Sequence, residues 1–351
     1  MTIIKNQYLL FNDNNSFLDI ICKNNIMIYD KIENLTNIDL NIVTNYDLNE
    51  INWLYDINNY RIPYYKNTKI IYIKFNNLKN IIDWISSVSL LEDNDIITGE
   101  KIQKIADIVC GTQSSLQWNP NNIFFSKCIY SINDVSSLHK YKSIFVFTHD
   151  LDIFINKFND QIADKIIITH NSDDKIDKLI NCKLHLAQNC QLTHNNIISL
   201  PIGIENTQWF DNNIFHEVRK MKIKKSKLIY FYFNLNTHES RNECYNILNP
   251  FLTWNTPKSK KDYFIELAKH KFAICPRGNG LDTHRIWECL YLNVIPIIIK
   301  KDYLNIDNLP IIILDEWNDI KNIFNKEIIM PCQTLSKVSV TYYSDLIGIR
   351  S

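Results

Sequence analysis

Glycine is nearly missing from this chain, with six residues in 351. Neither G-x-x-x-x-G-K-[ST] nor G-x-G-x-x-G occurs, which leaves the P-loop and dinucleotide-dehydrogenase readings without support. An excess of one charge sign is missing too: Lys+Arg and Asp+Glu both number 38. That balance offers no electrostatic reason to expect a nucleic-acid or anionic-membrane partner. No apolar run approaches the roughly 18–20 residues that span a bilayer. The N-terminal MTIIKNQYLLFNDNN carries one Lys and an apolar stretch broken by Asn and Gln, so it does not read as a signal peptide. The nine cysteines, at 22, 110, 128, 182, 190, 244, 275, 289 and 332, are odd in number and scattered through apolar contexts. That pattern predicts free buried thiols in a reducing compartment rather than a disulfide framework, and a cytoplasmic location.

What is present is core-forming material. Hydrophobic residues make up 46% and aromatics 12%, enough for a globular protein of two ordinary domains. The heavy use of Asn, Ile and Lys is read as codon bias and given no mechanistic role. In the C-terminal half, apolar runs at 227–233, 272–275, 294–299 and 310–314 predict strands. Helices are expected between them, over 241–248, around 263–270 and over 283–292, with a further one from Trp317. Ser240-Arg-Asn-Glu243 reads as a capping box opening the first of these. The middle third repeats the alternation with strands at 143–148, 165–169, 185–189 and 197–200. Strands alternating with helices at this spacing imply parallel α/β units. The expected divisions are 1–95, an extension of unclear topology; 96–210, an N-terminal α/β unit; 211–330, a C-terminal one; and 331–351, a tail crossing back to the N-terminal unit. Within the extension, 26–29 and 69–75 read as strands and 78–86 as a helix.

Two of the six glycines fall in one loop, CPRGNGLDTHRIWECLYLNVIPIII at 275–299. A strand, a glycine loop and a helix in that order suit an anion or a diphosphate, because the backbone comes close and the free amides of the helix start point at the ligand. Asp282 or Thr283 is placed to cap that helix, while His284, Arg285 and Glu288 share one face by their three- and four-residue spacing. Arg277 and Arg285 suit forked hydrogen bonds to phosphate. Glu288, one turn inside, suits the paired hydroxyls of a ribose. A plain βαβ turn with a solvated charged face is the competing reading.

These residues resemble the signature of exostosin-like glycosyltransferases and their soluble microbial and viral relatives, in which a strand, P-x-G-x-G, a D-T-x-R-x-W-E helix and an I-P-hydrophobic strand follow in order. FNLNTHESR (233–241), ITHNSDD (168–174), AQNC (187–190), LPIGIENTQW (200–209) and NLPIIILDEW (308–317) accompany it. The resemblance implies a GT-B fold, two Rossmann-like domains facing a central cleft, with a nucleotide-sugar donor held mainly by the C-terminal one. It places the donor on Arg277, Gly278, Asn279, Gly280, Arg285 and Glu288, with Asn234, Thr237 and Arg241 closing the phosphate site. The expected chemistry is metal-independent, inverting transfer from a UDP- or GDP-linked sugar to a hydroxyl of a glycan or glycosylated acceptor, with no cofactor beyond that co-substrate. Asn293 departs from the pattern, standing where relatives usually carry glycine.

A base must remove the acceptor proton from across the cleft. The turn Thr169-His-Asn-Ser-Asp-Asp174 offers Asp173 or His170, and equally reads as turn and cap residues. Two other readings stand beside this one. Asp150-Leu-Asp152 could hold the metal of a GT-A enzyme, and a GT-B-like protein without a working base would be a glycan-binding or scaffold protein. Cys182, His185, Cys190 and His194 read as unrelated buried cysteines and histidines rather than a zinc site. Trp317 and Trp209 read as packing residues, with Trp209 also a possible sugar platform.

Overall fold

In a computed structural model of the chain, residues 84, 87–118, 129–221, 223–302, 309–325 and 335–348 are described, with the backbone of four strands between residues 7 and 42. Those four are β1 (Gln7–Phe11), β2 (Leu18–Cys22), β3 (Asn25–Tyr29) and β4 (Leu40–Ile42), in the order β3-β2-β1-β4. β1 pairs antiparallel with β2 and parallel with β4. The strand expected at 26–29 lies in β3, the one at 69–75 lies outside the described residues, and of the helix at 78–86 only Trp84 is described.

Two parallel sheets carry the rest. The first contains β5 (Ile108–Gly111), β6 (Ile129–Ser131), β7 (Ser143–Phe147), β8 (Ile166–His170), β9 (Leu184–Ala187) and β10 (Ile197–Ser199), in the order β10-β9-β8-β7-β5-β6. The second contains β11 (Lys227–Tyr230), β12 (His270–Ile274), β13 (Ile295–Ile299) and β14 (Ile312–Leu314) in sequence order. Every pairing within these two sheets is parallel. Parallel neighbours need crossovers, and helices supply most of them. These are α1 (Gly99–Lys104), α2 (Gln113–Trp118), α3 (Leu151–Phe158), α4 (Asn212–Lys220), α5 (Glu239–Leu248), α6 (Lys260–Ala268), α7 (His284–Tyr291) and α8 (Val340–Ile347). Ser143–Phe147, His270–Ile274 and Ile295–Ile299 are buried at every position, as strands covered on both faces must be. The fold is α/β, with two parallel-sheet units of Rossmann-like alternation.

The first sheet buries one core on each face. The second shares its core with Trp84, Val88, Ile96, Ile204, Phe215 and Val218, so segments before and after the first sheet pack with the second. Tyr343 and Ile347 of α8 lie in a core with Phe145 and Ile168 of the first sheet. Tyr291 of α7 joins the pieces, its hydroxyl accepting from Ile97 N at 3.1 Å and donating to Val338 O at 2.8 Å.

Several local expectations are corrected. α5 begins at Glu239, and its cap is His238, whose Nδ1 accepts from Ser240 N at 3.2 Å. Because the helix starts one residue before Ser240, that serine lies inside the first turn and cannot cap it, so the capping box is not formed and Glu243 pairs with Lys301 at 3.0 Å instead. The turn from Trp317 is a 3-10 helix. Asn293, with φ of 57°, occupies the left-handed position just after α7, where glycine is the default and asparagine the next best residue. Asn171 and Asn189 hold the same conformation at the ends of β8 and β9, so asparagine does in this chain what glycine does elsewhere. Asn293→Gly, which relieves the Cβ strain but loses the bond from Nδ2 to Ser89 Oγ at 3.2 Å, is expected to leave stability nearly unchanged, and Asn293→Ala, which keeps the Cβ and loses the amide that favours positive φ, to cost about 1 kcal/mol. Urea unfolding of the two variants checks both.

Candidate functional site

Between the two sheets, at the C-terminal ends of their strands, lies a cavity of about 580 Å³. Ligands of open α/β sheets bind at such strand ends. Its walls bring together Asn234, Thr237 and Arg241, the loop residues Gly278, Asn279 and Gly280, and Asp282, Thr283, His284, Arg285 and Glu288 around the start of α7. Asp173 enters from the other unit.

Arg241 holds the rear of this site. Its Nε donates to Arg277 O at 2.8 Å, and its Nη1 to Asn234 O and Thr237 Oγ1, both at 3.0 Å. Burial lowers its pKa to about 10, which leaves it a cation at neutral pH. Arg285 lies with its guanidinium 5.1 Å from the Tyr263 ring and 5.8 Å from the Tyr230 ring. Burial opposes its charge, but Tyr263 and the other groups around it hold its pKa above the ordinary arginine value. Its Nη1 is buried and has no hydrogen-bond partner among the described residues. Glu288 accepts from the Tyr263 hydroxyl through Oε2, while Oε1 stands 4.0 Å from Lys260 Nζ. Burial raises the Tyr263 pKa well above its usual value, so this hydroxyl stays a donor.

Three predicted residues are placed differently from expectation. Arg277 does not line the cavity: its Nε donates to Gly278 O at 3.2 Å and its Nη2 to Asn279 O at 2.8 Å. The tight loop leaves carbonyls in need of donors, and Arg277 is spent on them. Asp282 and Thr283 do not cap α7 through their side chains. Thr283 sits at the cap position with Oγ1 buried and without a partner among the described residues. The Asp282 carboxylate accepts from Ile202 N at 2.6 Å and from Trp287 Nε1 at 2.7 Å.

Asp282 is one strand of a fastening across the cleft floor. Its own amide donates to Asn189 Oδ1 at 2.8 Å, and His284 Nδ1 donates to Gly203 O at 2.8 Å. A Cβ on Gly280 would stand 2.9 Å from Asn189 Nδ2 and 3.3 Å from Asp173 Oδ1. That glycine is therefore needed where the loop presses on the opposite unit, rather than for approach to a phosphate. Sequence reasoning gave Asn189 no role beyond its place in AQNC, since a single asparagine in a turn carries no periodicity. It also passed over Lys258, Ser259 and Lys260, which line the cavity at the start of α6, where Ser259 Oγ accepts from Asp262 N at 3.1 Å. The signal was a Lys-Ser-Lys-Lys run opening a helix.

A second cavity of about 510 Å³ adjoins the first unit, and Asp173, Ile202 and His284 line both. His170 lines this one but is engaged, its Nε2 donating to Pro201 O at 2.9 Å while its Nδ1 stands 2.9 Å from the Asn171 side-chain amide. Burial depresses its pKa to about 4. With its Nε2 proton given to Pro201 O and 1% exposure, His170 is placed as an anchor of its turn and is less open to an acceptor than Asp173. Asp173 is exposed.

The Asp150-x-Asp152 pair does not converge. Asp150 is buried and accepts from Thr112 N at 2.7 Å and Thr112 Oγ1 at 3.0 Å, while Asp152 is exposed and pairs with Lys178. The two carboxylates are spent on separate tasks. His185 bonds Thr169 Oγ1 at 2.9 Å and His194 bonds Asn196, each apart from the neighbouring cysteines. Among the described residues, Cys110, Cys182, Cys190, Cys244, Cys275 and Cys289 are free and buried. No helix among them is long and apolar enough to cross a membrane.

No family model matches the chain, and no curated protein matches it. Among solved structures, the chain is similar to an alpha1,3-fucosyltransferase crystal structure, with 11% identity, a TM-score of 0.39, and coverage of 69% of this chain and 88% of that one.

Proposed function

We propose that the chain is a GT-B glycosyltransferase that transfers a sugar from a nucleoside diphosphate to a hydroxyl acceptor. The observation that carries this is the buried Arg285 Nη1 without a partner, set beside the start of α7 in a cavity that Arg241, Lys258 and Lys260 also line. A buried guanidinium N–H left unpaired costs stability, and an anionic oxygen is the partner that removes the cost. The exostosin-like motif at 276–299 supports the same reading. In it the diphosphate lies against Arg285 and the first amides of α7, Arg241 steadies the loop through Arg277 O, and Glu288 Oε1 accepts from the ribose.

Transfer then proceeds with inversion. The acceptor oxygen bonds to the anomeric carbon, the bond from that carbon to the diphosphate oxygen breaks, and the nucleotide leaves with the electron pair. The acceptor proton passes to the Asp173 carboxylate, which faces both cavities. Fixed cations and helix amides stabilise the departing charge without a metal.

Calorimetric titration with UDP and GDP, with and without EDTA, tests this reading. One nucleotide is expected to bind equally in both conditions. Asp173→Asn is expected to keep that affinity and lower transfer by about 10²- to 10⁴-fold, the usual worth of a positioned base. Binding of neither nucleotide to the wild type would overturn the assignment, and unchanged transfer by Asp173→Asn would remove Asp173 from its role.

A further inference from the structure

The second cavity differs from the first in its chemistry. Among the described residues, the cations Arg241, Lys258, Lys260 and Arg285 all lie on the first cavity. The second presents amides, hydroxyls, one carboxylate, the imidazoles of His149, His170 and His284, and the rings of Phe147 and Trp209, with no Lys or Arg. Its volume of about 510 Å³ falls within the roughly 300–1,000 Å³ of small-molecule sites.

Three of its side chains carry buried polar atoms that find no hydrogen-bond partner among the described residues: Asn171 Nδ2, Gln188 Oε1 and Gln208 Oε1. Gln188 is fully buried, with its Nε2 already donating to Ser172 O at 3.1 Å. One unmet donor and two unmet acceptors are the complement of groups that both donate and accept, which is what sugar hydroxyls do. An anion would satisfy the donor and leave both carbonyl oxygens facing negative charge. At the rim stands Trp209, 64% exposed although it is a large aromatic. An indole in that position offers a flat apolar face beside polar groups. The Asp173 carboxylate lines the same space and repels a second negative charge.

We propose that this cavity binds an uncharged sugar residue as the acceptor, its C–H face laid on Trp209 and its hydroxyls paired with Asn171, Gln188 and Gln208. The proposal rests on the glycosyltransferase reading and adds to it the class of acceptor: a neutral glycan, and not a uronic-acid-bearing, sulfated or phosphorylated one. Selection against anions follows from the placement of charge, with the cations gathered where the diphosphate belongs and a carboxylate where the acceptor belongs.

Saturation-transfer NMR on the full chain tests this, with UDP or GDP present, using two panels matched in size. One panel holds neutral disaccharides such as lactose and cellobiose; the other holds disaccharides containing glucuronic acid or a sulfated sugar. Signals from at least one neutral disaccharide are expected, at least tenfold stronger in affinity than from any anionic one. Trp209→Ala is expected to abolish them and Trp209→Phe to restore part, while both variants bind the nucleotide as the wild type does. Preference for the anionic panel, binding by neither panel, or neutral binding indifferent to Trp209→Ala would each overturn the proposal. The nucleotide titration separates the two ideas. If UDP and GDP fail to bind, the donor reading falls; if one binds and the sugar panels behave otherwise than stated, only the acceptor assignment falls.

Discussion

Arg285→Ala is expected to weaken UDP or GDP binding by about 10- to 100-fold, the range that loss of one charge-assisted pair commonly spans. The same substitution is not expected to unfold the protein. In the free chain Arg285 is a half-buried cation whose buried Nη1 is unmatched among the described residues, with its guanidinium beside the rings of Tyr230 and Tyr263. Removing such a group can leave stability unchanged or raise it, whereas a residue retained only for packing would lower it. Arg285→Met, which keeps the apolar bulk between the two tyrosines, makes the distinction sharper. Its melting temperature should equal or exceed that of the wild type while calorimetry shows nucleotide affinity lost. A fall in both together would mean that Arg285 serves the fold and not a ligand. Arg285→Lys restores the charge without the planar fork and should recover only part of the affinity.

The second large effect concerns Asp282. Asp282→Ala strips partners from Ile202 N and Trp287 Nε1, both bonded to the carboxylate at under 3 Å. Loss of two such acceptors in a buried place is expected to cost about 2–5 kcal/mol. Asp282 also gives stability a pH dependence. Burial lifts its carboxyl to about 7, from an ordinary 3.8, although the bonds from Ile202, Trp287 and Thr283 act the other way. Between those values the native state holds a proton that the unfolded state has lost, so stability declines as pH rises from about 4 to about 7 and then levels off. Below pH 4 both states are protonated and this contribution to the pH dependence vanishes. The full decline from this one group is on the order of 4 kcal/mol. Asp282→Asn removes it. Urea unfolding at pH 5 and pH 7.5 should show the wild type losing more stability than Asp282→Asn over that interval. Parallel behaviour of the two would show that Asp282 is ionised in the native protein throughout. The buried histidines 170, 185 and 270, whose pKa values burial lowers, contribute equally to both proteins and cancel in the comparison.

The repeating strands were legible where the chain spells them in isoleucine and phenylalanine, as at Ser143–Phe147 and Ile295–Ile299. Two strands of the first sheet were not. Ile108–Gly111 reads IVCG and Ile129–Ser131 reads IYS, too short for a period and too mixed for a run. They are buried or paired because the sheet around them is already built, an effect of tertiary position that local sequence does not record. The glycine loop stood out because glycine is scarce. Which arginine lines the cavity did not: Arg277 and Arg285 are equivalent as letters, and only the turn of the backbone commits one to its own carbonyls. The base was ambiguous for a similar reason. His170 and Asp173 are three residues apart, but one lies at the end of a buried strand and the other in the exposed turn beyond it.

The fastening at the cleft floor bears on how readily this site accepts a nucleotide. Asp282, at the mouth of the loop, and His284, at the start of α7, are bonded to Asn189, Ile202 and Gly203 of the opposite unit. The loop is thus anchored to both jaws of the cleft at once, and any change in the angle between them must tug on the proposed phosphate seat. In this arrangement the seat is set before a ligand arrives. Little ordering of the loop remains to be charged against the binding energy, and selectivity rests on the rigid shape of the socket rather than on folding around its guest.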